Sequence, residues 1–301
     1  MSLTNRVYEF ILCCTPPFLL GGVLKCISFL RYLAYCSEIK CELKKNLMLK
    51  CSAINKTAYV LATGPSLKKE NLKLLKNKDC FSVSNFFLHP DVNVVSPIMH
   101  FFAPYHKPLV KDEYIEWLKK SDLELPSNCS ICLGHETYAD VKLHGLFKNR
   151  VVYYLGLEKS QISNDVDLLK TVMKPQTSPL MVIPVLKYMG YKKIVLLGCD
   201  HNILKNYGGC VENFYNNDRD VRSNATSGDA WQAGIVKHLQ NALNVFNQYT
   251  FYVKMFRQYD VEIINTSASS WLDFVKMVPL EEVIKSDGSF SPDYDGDRYE
   301  G

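Results

Sequence analysis

Several short stretches carry residue types at spacings that could do chemistry. Thr63-Gly64-Pro65-Ser66 closes the apolar run Tyr59–Ala62, and Lys68–Lys76 reads as a helix with Leu67, Leu72 and Leu75 on one side. Strand, tight turn and helix bring bare backbone N–H groups to an anion in open α/β sheets. The competing reading is an ordinary strand-to-helix turn with Pro at the first helical position. The stretch fits neither G-x-G-x-x-G nor G-x-x-x-x-G-K-[ST], so neither of those nucleotide classes is claimed from it. Ser84-Asn85 ends a second short strand, Phe81–Asn85, and Thr177-Ser178 precedes an apolar helix. Asp200 and His201 follow the buried strand Ile194–Gly198, where ligands bind in such sheets. The long polar stretch Asn202–Ser227 holds Tyr207, Gly208-Gly209, Tyr215 and Asp218-Arg219-Asp220, and its length suggests a lid.

The elements that must position these residues alternate as αβ from Thr57 onward. Val92–Val95, Ile98–Phe102, Ser130–Leu133 and Val151–Leu155 are predicted strands; Asp112–Lys120 and Asp165–Met173 are predicted helices. Ser178 can cap the helix Leu180–Met189, Pro179 fits its first position, Pro184 should kink it, and Gly190 should end it. A long helix runs from Ala230 to about Gln258, with Ile235, Leu239, Leu243, Phe246, Val253 and Phe256 at helical spacing, and Val261–Ile264 is a last strand. The fold class expected is α/β: a Rossmann-like, mostly parallel sheet flanked by helices, with a lid insertion and an N-terminal membrane-associated helical segment. The divisions expected are 1–56 for that segment, 57–285 for the α/β domain with its lid at 202–227, and 286–301 for a disordered tail.

A hydrophobic content of 47% and a charged content of 22% suit a soluble globular chain with an ample core. The net charge of +4 is uneven: residues 1–56 carry about +5 and the remainder about −1. Phe10–Leu24 is uncharged but broken by Pro16-Pro17 and Gly21-Gly22, too interrupted for an ordinary membrane span. The segment reads as an interfacial anchor on acidic lipids, and otherwise as a helix packed on the domain or on a partner. The expected location is cytoplasmic, held peripherally to the inner face of the cell membrane. Eleven scattered cysteines indicate a reduced compartment, and the lone Cys129-Ser130-Ile131-Cys132 lacks the second pair a zinc site needs. No basic stripe with interleaved aromatics is present, so nucleic acid is not an expected partner.

Gly64-Pro65-Ser66-Leu67, then Ser84-Asn85, then Thr177-Ser178 leading to Gly190-Tyr191-Lys192-Lys193-Ile194 and Gly198-Cys199-Asp200 occur in an order and spacing that form a pattern. The pattern resembles the bacterial lipooligosaccharide sialyltransferases (glycosyltransferase family 42) and neighbouring surface-glycan glycosyltransferases, over roughly residues 57–275. The resemblance implies an inverting, metal-independent transfer of sialic acid, Kdo or a related acid from a CMP-activated donor to a glycan or glycolipid acceptor, with no cofactor. It implies that Thr63, Gly64, Pro65 and Ser66 lie against the nucleotide and that Asn85 bonds ribose or sugar. It places Thr177 and Ser178 on the donor carboxylate or phosphate, and Tyr207 and Tyr215 on the departing phosphate. Thr63 stands where the family has Asn, and the family's general-base His has no counterpart in Ser223–Asp229. Asp200 and His201 are therefore the expected catalytic groups beside the two tyrosines, with His238 a further imidazole that fits core packing as well. A homo-oligomer remains open. Two other readings stand: a metal-dependent nucleotide or pterin diphosphotransferase, for which Asp218-Arg219-Asp220 is the nearest D-x-D, and a non-catalytic nucleotide- or glycan-binding protein.

Overall fold

A computed structural model of the chain describes residues 14–106, 109–222 and 231–287. The helices are α1 (Pro17–Leu33), α2 (Ser37–Lys45), α3 (Val92–Val95), α4 (Lys111–Glu124), α5 (Tyr138–His144), α6 (Pro179–Met189), α7 (Gly234–Arg257) and α8 (Leu280–Ser286). The strands are β1 (Thr57–Leu61), β2 (Cys80–Val83), β3 (Met99–Phe102), β4 (Ser130–Gly134), β5 (Val152–Glu158), β6 (Thr171–Met173), β7 (Lys193–Leu197), β8 (Glu262–Asn265) and β9 (Lys276–Met277). All nine lie in one parallel sheet ordered β6-β5-β4-β3-β2-β1-β7-β8-β9. The order reverses between β1 and β7, and their carboxyl ends flank the crevice that such a reversal opens.

Both faces of the sheet are covered, as a parallel sheet requires. Along β1, Ala58 and Val60 enter the core beneath α6 and α7, while Tyr59 and Leu61 enter the core beneath α4 and α8. Continuous apolar runs in β1 and β7 follow from this double burial. At the amino ends of the strands Asp287 ties α8 to β1, accepting hydrogen bonds from Thr57 Oγ1 at 2.6 Å and Tyr59 Oη at 2.7 Å.

Three predicted elements take another form. Lys68–Lys76 is not an α-helix but two 3-10 turns, Pro65–Lys69 and Leu72–Leu75; Asn71 interrupts it by accepting the Lys73 N–H. Asp165–Met173 is no helix: its acidic side chains bond the local backbone, at Asp167 as an Asx turn, and the chain runs into β6. Asp165 accepts the Val166 N–H at 2.8 Å, and Asp167 accepts the Leu169 N–H at 3.1 Å. Val92–Val95 is one helical turn stopped by Ser96 in the left-handed region (φ +45°), with Val92 and Val95 buried at a spacing of three. Ser178 does not cap α6; its backbone is helical and its hydroxyl makes no capping bond. Of the tail expected from 286, Ser286 ends α8 and Asp287 accepts a hydrogen bond from Thr57; positions 288–301 lie outside the described residues. All ten described cysteines are free, with Cys129 and Cys132 buried at and beside β4. Among the described residues no group of three metal-binding side chains comes together.

Candidate functional site

A cavity of about 680 Å³ opens at the carboxyl ends of β1 and β7, the point where the strand order reverses. Ala62–Ser66 and Lys69 form one wall, and Gly198 with Asp200–Leu204 another. Gln176–Pro179, at the start of α6, close a third side. His238, Asn241, Ala242, Val245 and Phe246, at helical spacings of three and four, present one face of α7 to the fourth. Lys205, Asn206 and Val211–Asn213, from the stretch after β7, also line the cavity. Of the sequence-predicted residues, Thr63, Gly64, Pro65, Ser66, Thr177, Ser178, Asp200 and His201 all line this one cavity.

Close approach of two loops builds its floor. The Gly64 N–H donates to Gly198 O at 2.9 Å, and the Ser66 N–H donates to Asp200 Oδ2 at 2.9 Å. A Cβ on Gly64 would lie 2.4 Å from Asp200 Oδ2 and 2.5 Å from Gly198 O. Gly64 has an ordinary φ of −63°, so this glycine serves space rather than backbone freedom. Asp200 is 3% exposed, and its second oxygen accepts the Ser267 hydroxyl at 2.5 Å. Both its oxygens are engaged, which makes it a positioning group for the Gly64–Ser66 turn rather than a free base. The anion-facing role expected of the turn's N–H groups is correspondingly reduced, because the carboxylate already holds that of Ser66.

His201 follows in the left-handed region (φ +48°), and its Nε2 lies 3.0 Å from Tyr249 Oη. Burial pushes its pKa down to about 4, and the adjacent Asp200 charge offsets this only in part. The imidazole is neutral at neutral pH. Ser66 Oγ and His238 Nε2 are buried with no hydrogen-bond partner, and both belong to the cavity wall. Buried polar atoms normally find partners, so a ligand group or water is the expected complement.

Two predicted residues lie elsewhere. Asn85 is fully buried beyond β2, where its amide donates to Tyr215 Oη at 2.8 Å and Asp220 Oδ2 at 2.7 Å, and its carbonyl accepts the Trp117 indole N–H. Tyr215 is 7% exposed and donates to Asp220. Arg222 pairs with Asp220 at 2.8 Å while lying over the Trp117 ring, and Lys120 donates to Arg219 O. This cluster clamps the second half of the supposed lid onto α4 and uses up Asn85, Tyr215 and Asp220. Asp220 is thereby withdrawn from any D-x-D metal role. The first half contributes Lys205, Asn206 and Val211–Asn213 to the cavity lining. Tyr207, 42% exposed, packs edge-on against Trp231 and stands beside His238, with ring centroids 5.1 and 6.1 Å away; Trp231 Nε1 holds Gly209 O at 2.6 Å. Ser223–Ser227 lie outside the described residues, as does the stretch to Asp229 in which the resemblance seeks a base.

Lys69, Gln176 and Asn241 are cavity residues that sequence reasoning missed, and His238, weighed there against core packing, joins them. The available signal was on α7: His238, Asn241 and Ala242 share a face with Val245, a polar break in an otherwise apolar stripe.

No family model and no curated protein matches the sequence. Among solved structures the chain is similar to a point mutant of alpha-2,3/8-sialyltransferase CstII, at 16% identity and a TM-score of 0.41, over 74% of this chain and 87% of that one. It is also similar to the sialyltransferase CST-II in complex with a trisaccharide acceptor and CMP, at 14% identity and a TM-score of 0.41, over 74% of this chain and 86% of that one.

Proposed function

We propose that the chain is an inverting glycosyltransferase that takes an acidic sugar from a CMP-activated donor, with the switch-point cavity as its donor site. One observation carries the reading: residues 63–66 and 177–178, picked out by the sequence resemblance, line a single cavity although more than a hundred positions separate them. Lys69 and Lys205 give this cavity two cations for a phosphate or carboxylate, and the Thr177 and Ser178 hydroxyls add neutral donors.

In the transfer, the acceptor oxygen forms a bond to the anomeric carbon as the bond from that carbon to the phosphate oxygen breaks. The acceptor's proton passes to an imidazole, and CMP leaves carrying the added negative charge. His238 is our choice for that imidazole, since its Nε2 is unpartnered in the cavity wall, whereas His201 is engaged by Tyr249 and held at a low pKa. A base works best with a pKa near the working pH, which counts against His201. Tyr207, which follows the cavity-lining Lys205 and Asn206 and stands beside His238, is the hydroxyl proposed to reach the leaving phosphate; Tyr215 is structural.

A thermal-shift comparison of CMP, UDP, GDP and ADP, each with and without EDTA, tests the reading. Stabilisation by CMP alone, unchanged by EDTA, is expected. Preferential stabilisation by another nucleotide, or one abolished by EDTA, would favour the metal-dependent diphosphotransferase.

A further inference from the structure

Helix α1 is amphipathic in the inverted sense. Leu20, Leu24 and Ile27 are half-buried toward the domain, and Ser28, fully buried, accepts the Ser160 N–H. The helix's two charges also turn to the protein: Arg31 pairs with Glu158 at 3.1 Å, and Lys25 donates to Asn164 at 2.6 Å. The opposite face carries Phe18, Leu19, Phe29, Leu30 and Leu33, exposed by 84, 51, 46, 64 and 51%. At 100° per residue these five fall within a stripe roughly 120° wide and about 22 Å long. No charged side chain interrupts it. A helix facing water has the reverse arrangement, and a contiguous apolar stripe of this size marks a contact surface.

We propose that this outer face of α1 lies on the surface of an anionic lipid bilayer. Charge and end chemistry select lipid over a second copy of the chain. Residues 14–56 carry a net formal charge of +5, and after Lys25, Arg31 and Lys56, which the domain holds, Lys40, Lys44, Lys45 and Lys50 still outnumber Glu38 and Glu42. Lys40 donates to Leu33 O at 2.8 Å, setting a lysine at the end of the stripe beside the Tyr32 ring, as interfacial helices place lysine and tyrosine at headgroup level. No single described helix is long and apolar enough to span, α1 bends by 105° into the segment Ser37–Leu49, and the inner face of α1 is packed on the domain through Ser28 and Arg31, so only its outer face is offered to lipid. Glu158, which holds Arg31, ends β5 on the same sheet edge as the cavity, four strand spacings or roughly 19 Å from β1.

Flotation of the full-length protein with phosphatidylcholine vesicles, with and without phosphatidylglycerol, tests this without any transfer assay. The wild type floats with the anionic vesicles and is released by salt. The variant Phe18→Ser, Phe29→Ser, Leu30→Ser loses at least tenfold in partitioning while keeping its circular dichroism and melting temperature. Lys40→Glu, which leaves the stripe intact, reduces binding to anionic vesicles only. Equal flotation of wild type and triple variant, or no flotation of the wild type, overturns the proposal. So does a wild-type dimer that the triple substitution turns into a monomer in the absence of lipid, since a second copy then covers the face.

Discussion

Gly64→Ala is the sharpest probe of how the crevice is built. The new Cβ falls 2.4 Å from Asp200 Oδ2 and 2.5 Å from Gly198 O, about 1 Å short of an ordinary contact. Rotating Asp200 relieves only the first clash, because the second is with a backbone carbonyl. The β1 and β7 loops must part, which strains or breaks the Gly64-to-Gly198 and Ser66-to-Asp200 hydrogen bonds, both 2.9 Å. Overpacking costs about 1–3 kcal/mol. Losing a bond to a charged carboxylate costs about 1.5–3 kcal/mol more. Alanine fits the backbone at φ −63°, ψ 154° before a proline, so the usual gain of about 0.4–1 kcal/mol from stiffening the unfolded chain applies in opposition. The net expectation is a loss of about 3 kcal/mol, read from the shift of a urea denaturation midpoint at unchanged slope. Adding Asp200→Ala removes one of the two clashes, so the double variant should be less destabilised than the sum by about 1 kcal/mol. A Gly64→Ala protein within about 0.5 kcal/mol of wild type, or strict additivity in the pair, would refute the close-approach argument.

Asn85→Ala should cost about 3 kcal/mol by stranding Asp220, Tyr215 and Trp117, and should leave CMP affinity unchanged; urea denaturation and titration calorimetry measure the two separately. Burial pushes His100 down to about 3 from 6.5 between Ser82 Oγ at 2.7 Å and Ser84 O at 2.9 Å, so the unfolded imidazole takes a proton where the native one does not. Stability contributed by the neutral form is present above pH 6.5 and falls on acidification at about 1.4 kcal/mol per pH unit until the folded value is reached. His201, lowered to about 4, adds to that slope. His100→Gln should flatten it in denaturation curves recorded across that window, and an unchanged slope would contradict the assignment.

Where packing period and local chemistry agree, the sequence reads true: β1, β7 and α6 sit where apolar runs and helical spacings put them, as does α7, whose stripe packs through Phe246, Val253 and Phe256 and is exposed at Ile235, Leu239 and Leu243. It misleads where a short polar side chain serves its own backbone. Asn71, Asp165 and Asp167 turn the chain inside two stretches whose leucines otherwise look helical. The turn, the Thr177-Ser178 pair and the Asp200-His201 end were legible because a strand's carboxyl end is a local property. Asn85 and Tyr215 were not, since their pairing spans 130 positions and is decided by tertiary packing with Trp117. His238 was ambiguous for the opposite reason. On a helix wheel it borders an apolar stripe, and only the crevice beside α7 distinguishes it from a packed histidine.

Titration calorimetry of CMP against wild type and an Ala242→Trp variant tests the central claim most directly. Ala242 is half-buried on the cavity face of α7, so an indole there fills the site without entering the core. The cavity account predicts CMP binding by the wild type and its loss in a folded Ala242→Trp protein. Equal CMP affinity in both proteins, or none in the wild type, would contradict it.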